Sequence, residues 1–421
     1  MKRRTVLAAV GAGLVGAGAL ALHPRERGAP HAPYFARLSA ALREAGIATP
    51  TMIIDRDRLA ANAARVVHNI GARMQLRLVA KSLPCLALLD ELTAAMKTQR
   101  LMVFNLPYLQ LLAAQRPALD LLLGKPMPVA AAAAFYDHHN GAFAPAHQLQ
   151  WLVDSPQRLA QYRDLARQRK LPLRINLEID VGLHRGGVAS TATLQEMLAM
   201  FKSEPLLQWS GMMGYDAHVA KLPDLPGVRA GAFAHASAVY RDYAAIASAA
   251  LPPGPLVLNA GGSPTYRLHD GSRTPNELAL GSALVKPSDF DLAGLDDLAP
   301  AAFIATPVLK AQAHFQMPTG VEWLGNAARA WDVNQQRVFF IYGGNWLADP
   351  VSPGGLAPSG LYGNSSNQQA LLGSGAQQLQ MDDFVFMRPR QSEAVLQQFG
   401  DIVVVEAGRI TQRWPVLPAM P

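Results

Sequence analysis

Cysteine is almost missing from this chain. Cys85 is the single one among 421 residues, which excludes an internal disulfide and any cysteine-rich zinc site. Charged residues are sparse at 16% and aromatics at 7%. No stripe of Lys and Arg interleaved with aromatics occurs, so the pattern of a nucleic-acid-binding face is missing. The formal charge of +7 falls to +4 once Lys2, Arg3 and Arg4 are assigned to a targeting segment. Past the N-terminus no run is apolar and long enough to suggest a membrane span. Apolar residues are plentiful instead. They make up half of the chain, which suits two domains, or one large barrel with an appended module.

The N-terminus reads "MKRRTVLAAVGAGLVGAGALALHP". A basic start, a weakly apolar run and the small-residue "ALA" at Ala19 to Ala21 form an export-signal pattern over residues 1–28. The pair Arg3-Arg4 resembles a twin-arginine signal, with Val6 where phenylalanine is usual. The expectation is a periplasmic protein that touches the membrane only through this signal. An uncleaved anchor is the alternative, and its four glycines make it a weak span.

Further along, "YFARLSAALREAG" has helical spacing. Strand-like apolar runs then follow: "TMIID", "LRLVAK", "RLMVFN", "LDLLL", "LQWLVD", "LRINLEIDVG", "WSGMMGYD" and "PLVLNAGG". Helical stretches such as "RDRLAANAARVVHNIG" separate them. Strand and helix in turn, about eight times, predict a parallel α/β architecture, most simply a (β/α)8 TIM barrel over 34–295. A doubly wound open sheet is the competitor. From 296 to 421 the texture becomes β-rich with Gly/Pro/Asn/Ser breaks and no long helix, which predicts a mostly antiparallel β domain.

In a barrel, residues just after the strand C-termini converge on the site. Lys81 ends an early strand. "EIDVGLHRGGV" places Glu178, Asp180, His184 and Arg185 at a middle one, and "GYDAHVAKLP" places Tyr215, Asp216 and His218 at a later one. "LNAGGSPTYR" closes a still later strand with Gly261-Gly262-Ser263 and then Thr265, a tight turn whose backbone N–H groups suit a phosphate. Each feature alone is ordinary, since strand-end Asp and His residues are usually structural. Together, a lysine and a phosphate turn suit pyridoxal phosphate. A lysine in an apolar pocket has a lowered pKa, which frees its amine to condense with the cofactor aldehyde. The cofactor ring then serves as electron sink at the α-carbon of an amino acid.

From about Thr49 to the C-terminus the chain resembles the fold-type III pyridoxal phosphate enzymes of the D-threonine aldolase/D-serine dehydratase group, related to alanine racemase. "TPTMIIDRDRLAANAARV" is similar to that group's opening, and "RLVAKSLP" occupies its cofactor-lysine position. "EIDVGLHRGGV" is close to its Asp-x-Gly-x-x-Arg-x-Gly pattern, and "GYDAH" to its Tyr-x-x-His segment. "AGGSPT" matches its phosphate turn, and "NELALGSAL", with Glu277 and Gly281, its Glu-x-x-x-Gly segment. The resemblance implies Lys81 as the Schiff-base residue. It also implies Arg185, Tyr215, Gly261, Gly262, Ser263 and Thr265 around the cofactor, and Lys81, Tyr215, His218 and Glu393 as catalytic candidates.

Two departures stand out. Leu78-Val79-Ala80-Lys81 replaces a Pro-His-x-Lys run, and Gln391 and Glu393 stand where the group has its His-x-Cys metal pair. Oxygen donors suit a hard cation better than zinc. Three readings stay open: a magnesium- or manganese-type site at Gln391/Glu393, no metal with Glu393 as acid/base, or a structural polar pair. The acid/base reading is taken first. The activity implied is that of a lyase on a β-hydroxy D-amino acid, by aldol cleavage or dehydration. A racemase is the alternative, with Tyr342 or Tyr362 as a second base, as is a cofactor-binding protein without turnover. The resemblance also implies a homodimer.

Overall fold

The computed structural model describes residues 23–418. The export signal named above therefore lies outside the described residues, apart from its last few positions. The chain forms two compact units built from interleaved segments. One contains Ile54–Ala302, Arg390–Ile402 and Arg413–Pro421, and the other Met1–Ile53, Phe303–Pro389 and Val403–Gln412. The division is thus not a single cut at 295/296. The stretch carrying Gln391 and Glu393 belongs with the first unit, and the described residues before Ile54 belong with the second.

Thr51–Asp55 (β1) is followed by eight parallel strands that close into a barrel. They are Gln75–Val79 (β2), Arg100–Val103 (β3), Asp120–Leu123 (β4), Leu149–Val153 (β5), Leu173–Ile179 (β6), Leu207–Gly214 (β7), Val257–Ala260 (β8) and Glu277–Leu280 (β9). The barrel closes through β2 against β9, with Leu76 opposite Leu278 and Leu78 opposite Leu280. Short, continuous apolar runs are what a parallel strand covered on both faces requires. Four of the helices begin where a side chain satisfies an orphan N–H. Asp55 accepts from Arg58 N, Asn105 from Tyr108 N, Ser155 from Arg158 N and Ser190 from Thr193 N. Each such cap stabilises its helix by about 1 kcal/mol, so every barrel helix with one has its starting point fixed by sequence.

One expected barrel strand is misplaced and one was missed. "TMIID" is β1, which takes its place in the β-unit sheet and not in the barrel. All five of its residues are buried, and a run apolar on both faces fits either sheet equally well. The true closing strand, "ELAL", was hidden by the carboxylate at its start. Glu277 is fully buried and satisfied inside the barrel by Arg77 (2.6 and 3.0 Å), Arg100 (2.8 Å) and Asn259 (2.8 Å).

In the other unit, Ala302–Gln312 (β10) pairs antiparallel with Arg337–Tyr342 (β11). The sheet continues through Ala348–Ser352 (β12), Ala357–Pro358 (β13), Gln368–Gly373 (β14), Phe384–Pro389 (β15), Ile402–Glu406 (β16) and Arg409–Trp414 (β17). The helix Pro33–Glu44 buries Leu38 and Leu42 here, against Ile53, Phe384, Phe386 and Val403. A ten-residue helix, Glu322–Trp331, interrupts a region whose sequence suggested none. Among the described residues no helix is long and apolar enough to cross a membrane.

Candidate active site

The site lies within the barrel unit, at the C-terminal ends of the strands. After β2 a single tight turn, Ala80–Ser82, buries Ala80 and Ser82 and turns Lys81 between them into a cavity of about 120 Å³. The Lys81 Nζ lies 4.6 Å from the centroid of Phe104, which follows β3, and 3.8 Å from Glu393 Oε1. Its side chain is 42% exposed, so this amine is neither sealed in nor fully solvated. An aromatic face and a carboxylate hold it at the mouth of the cavity.

Across the cavity, the turn after β8 is shaped by what glycine permits. Gly261 has φ of +64°, a left-handed conformation that a side chain resists. At Gly262 a Cβ would lie 2.5 Å from Tyr215 Cε2, so the ring can sit against bare backbone. Ser263 Oγ accepts from Gly281 N (3.2 Å) and Ala283 N (3.1 Å), tying this turn to the chain that follows β9. No hydrogen bond among the described residues uses the N–H of Gly262 or Ser263. Gly281 is itself confined, since a Cβ there would come within 2.9 Å of Val79 O and Ser82 Cβ. Arg185 stacks its guanidinium 5.0 Å from the Tyr215 ring centroid. Burial pushes the Tyr215 phenol up, with Arg185 opposing, so near neutral pH it is a hydrogen-bond donor and not a base.

Glu393 enters from the 390–402 segment. Its Oε2 accepts from Ser392 Oγ at 3.0 Å and Ser282 Oγ at 3.4 Å, and the two serine oxygens are 3.1 Å apart. Oε1 is the oxygen that faces Lys81. Gln391 is directed elsewhere, its Nε2 donating to Asp289 Oδ2 at 3.1 Å. The proposed pair of oxygen ligands therefore does not converge. Among the described residues no group of three or more His, Cys, Asp or Glu side chains could hold a metal ion. With Gln391 committed to Asp289, Glu393 alone does not make the donor set of a resident divalent metal.

Of the residues named from sequence, Lys81, Arg185, Tyr215, Gly261, Gly262, Ser263 and Glu393 line this one cavity. His218 and Thr265 do not. Thr265 is fully buried and donates to Asp216 Oδ1 at 2.5 Å, while His269 Nε2 holds Asp216 Oδ2 at 2.7 Å. Thr265 thus anchors the glycine turn from behind. His218 sits beside Gly182, with its Nδ1 buried and unpartnered among the described residues. It begins the short helix His218–Lys221 and is not among the residues lining the cavity. Tyr342 and Tyr362 are exposed residues of the β unit, and Tyr362 OH donates to Gln316 O at 3.3 Å. The sequence reading missed Phe104, Ser282, Ser392 and Asn259. Phe104 was detectable by the strand-end rule that selected Lys81. The serines carry no signal until the fold brings them to Glu393. A larger cavity of about 410 Å³ runs along the helix Val228–Ala250, but of the residues singled out from sequence it holds only Asp216.

The residues present fit pyridoxal phosphate. A reachable amine shares the cavity with a glycine-shaped turn whose Gly262 and Ser263 N–H groups are uncommitted among the described residues, and the Tyr215 ring packs against Gly262. A barrel that carries its lysine after the first strand and its phosphate turn after the seventh defines a fold-type III pyridoxal phosphate enzyme. Residues 54–289 match the alanine racemase N-terminal domain family, and the chain belongs to it. Three solved structures share the fold across nearly the whole chain. The D-threonine aldolase from Filomicrobium marinum is 16% identical with a TM-score of 0.70, covering 93% of this chain and 97% of its own. The D-threo-3-hydroxyaspartate dehydratase from Delftia sp. HT23 is 19% identical with a TM-score of 0.69, covering 88% and 98%. The alanine racemase from Bacillus anthracis is 12% identical with a TM-score of 0.65, covering 87% and 98%. No curated protein matches the chain.

Proposed function

We propose that this enzyme is a lyase acting on a β-hydroxy D-amino acid, with Glu393 in the acid/base role at the substrate's hydroxyl. The carrying observation is the position of Glu393 Oε1, 3.8 Å from Lys81 Nζ in the same cavity. Lys81 would hold the cofactor aldehyde, the Gly262 and Ser263 N–H groups its phosphate, and Tyr215 would pack beside it. When bound, pyridoxal phosphate withdraws the electron pair released at the substrate's α-carbon.

The chain's own groups then divide the proton work. The Lys81 amine handles the proton at the α-carbon. Glu393 Oε1 takes the β-hydroxyl proton for aldol cleavage, or protonates the departing hydroxyl for dehydration. Ser282 and Ser392 occupy Oε2, so the other oxygen is the one presented to substrate. The adjacency of Lys81 and Glu393 favours a lyase over a racemase. Racemisation needs bases on opposite faces of one carbon, whereas neighbouring groups serve neighbouring atoms. The D-threonine aldolase and hydroxyaspartate dehydratase also share more of the fold than the alanine racemase does. The reading includes export to the periplasm through Arg3-Arg4 and a homodimeric assembly.

Incubation of the cofactor-loaded enzyme with D-threonine, D-serine and both alanine enantiomers tests this. The expected result is an aldehyde plus glycine, or a 2-oxo acid plus ammonia, from a hydroxy substrate. Glu393→Gln should lower kcat by roughly 10²–10⁴ while leaving the visible cofactor band in place. Chelator should leave turnover unchanged. Racemised alanine as the sole product, with Glu393→Gln fully active, would sink the proposal.

A further inference from the structure

The barrel has a second polar chamber at its other end, where the strands begin. A pocket of about 290 Å³ opens there, lined by Arg73, Arg100 and Arg174, with Gln75, Asp120 and Asn276 on its walls. Active sites of such barrels form at the opposite, C-terminal face, so this pocket is not part of the strand-end site.

Four guanidinium groups gather at this end, and two carboxylates serve them. Arg77, fully buried, takes both Glu277 oxygens (2.6 and 3.0 Å) and Asp120 Oδ1 (2.6 Å), and donates to the carbonyls of Leu101 and Asp120 at 3.0 Å each. That satisfies Arg77. Arg100 shares the already occupied Glu277 at 2.8 Å. Arg174 reaches Asp120 only at 3.8 Å, its other partner being the His147 carbonyl. Arg73 has a single long contact, 3.4 Å to the Ser272 carbonyl. Within this group guanidinium charges outnumber carboxylates by two, and among the described residues the side chains of Arg73, Arg100 and Arg174 each donate a single hydrogen bond. Burial, together with neighbouring Arg77 and Arg100, draws Arg174 below the ordinary guanidinium range despite Asp120. Next to Arg174 in register, Gln150 is fully buried and its Nε2 has no partner among the described residues.

We infer that this floor pocket binds a small doubly charged oxyanion. Planar guanidinium forks match a phosphate or a dicarboxylate in pairs of N–H···O bonds. Such a ligand supplies the acceptors and the negative charge that Asp120 and Glu277 do not. The site is separate from the strand-end cavity and independent of the reaction assigned to it.

The full-length enzyme, saturated with pyridoxal phosphate so that its glycine turn is filled, would be titrated calorimetrically with inorganic phosphate and with malonate. Sodium chloride at matched ionic strength is the control. One saturable site per chain is expected, for phosphate or malonate according to whether the pocket prefers a tetrahedral or an extended anion. Arg73→Gln and Arg174→Gln, which leave the buried Arg77 pairs in place, should each weaken it about tenfold. The inference is overturned if neither anion binds. It also fails if chloride reproduces the effect, which would mean screening only, or if both variants titrate like the wild type, which would place the anion elsewhere.

Discussion

At the scale of single residues, the cavity is governed by how far each titratable group is withdrawn from water. Lys81 is held between a ring face and a carboxylate, and Tyr215 is kept protonated by burial. Glu178, near the end of β6 but not among the residues lining the cavity, shows this withdrawal most clearly. Burial, with Asp154 adding and Arg185 opposing, raises its carboxyl from 4.5 to about 6. Between those values the folded chain holds a proton that the unfolded chain releases. Its contribution to stability is therefore full below about pH 4.5 and is lost as pH rises through about 6, by at most ~2 kcal/mol. Glu178→Gln should flatten that part of the stability–pH curve, read as urea midpoints from pH 4 to 7. Equal slopes in variant and wild type would show that Glu178 is not the group responsible. The residue types at this scale were legible in sequence because chemistry follows composition at strand ends. Thr265 and His218 were not placed by it, since nothing in the sequence tells a side chain facing the cavity from one facing the scaffold behind it.

At the scale of elements, the glycine turn is the most constrained piece. Its two glycines and the Gly281 that Ser263 ties to it serve different ends: Gly261 a left-handed backbone, Gly262 the seat of the Tyr215 ring, and Gly281, after β9, the approach of β2's end. Gly262→Ala should displace the Tyr215 ring and weaken pyridoxal phosphate binding about tenfold or more, at a stability cost of about 1–3 kcal/mol. A fluorescence titration of the apoprotein with the cofactor measures it, and unchanged affinity would remove Tyr215 packing from the account. Alternation of strand and helix was readable from apolar periodicity. Strand neighbours were not, because pairing partners lie far apart in sequence. "TMIID" and "ELAL" exchange places for that reason: an all-apolar run fits either sheet, and Glu277 looks unburied until Arg77 is seen beside it.

On the scale of the molecule, the barrel is stitched by that same buried ion pair. Burial would raise the Glu277 carboxyl, but Arg77 and Arg100 outweigh it and hold it below the ordinary range. Glu277→Ala would leave Arg77 buried without its main partner, and should destabilise the fold by about 3–5 kcal/mol, measured as a lower urea midpoint at unchanged slope. The interleaving of the two units was invisible to a reading that looks for one change of texture. Segment 390–402 returns to the barrel unit, and it brings Glu393 to Lys81.

The central claim is that Lys81 carries the cofactor, and borohydride reduction followed by peptide mass spectrometry tests it most directly. Purified protein incubated with pyridoxal phosphate should show a visible band that reduction bleaches, with the pyridoxyl mass on the peptide containing Lys81 and none in Lys81→Ala. A label on a different lysine, or no label with the wild-type protein folded, would contradict the account.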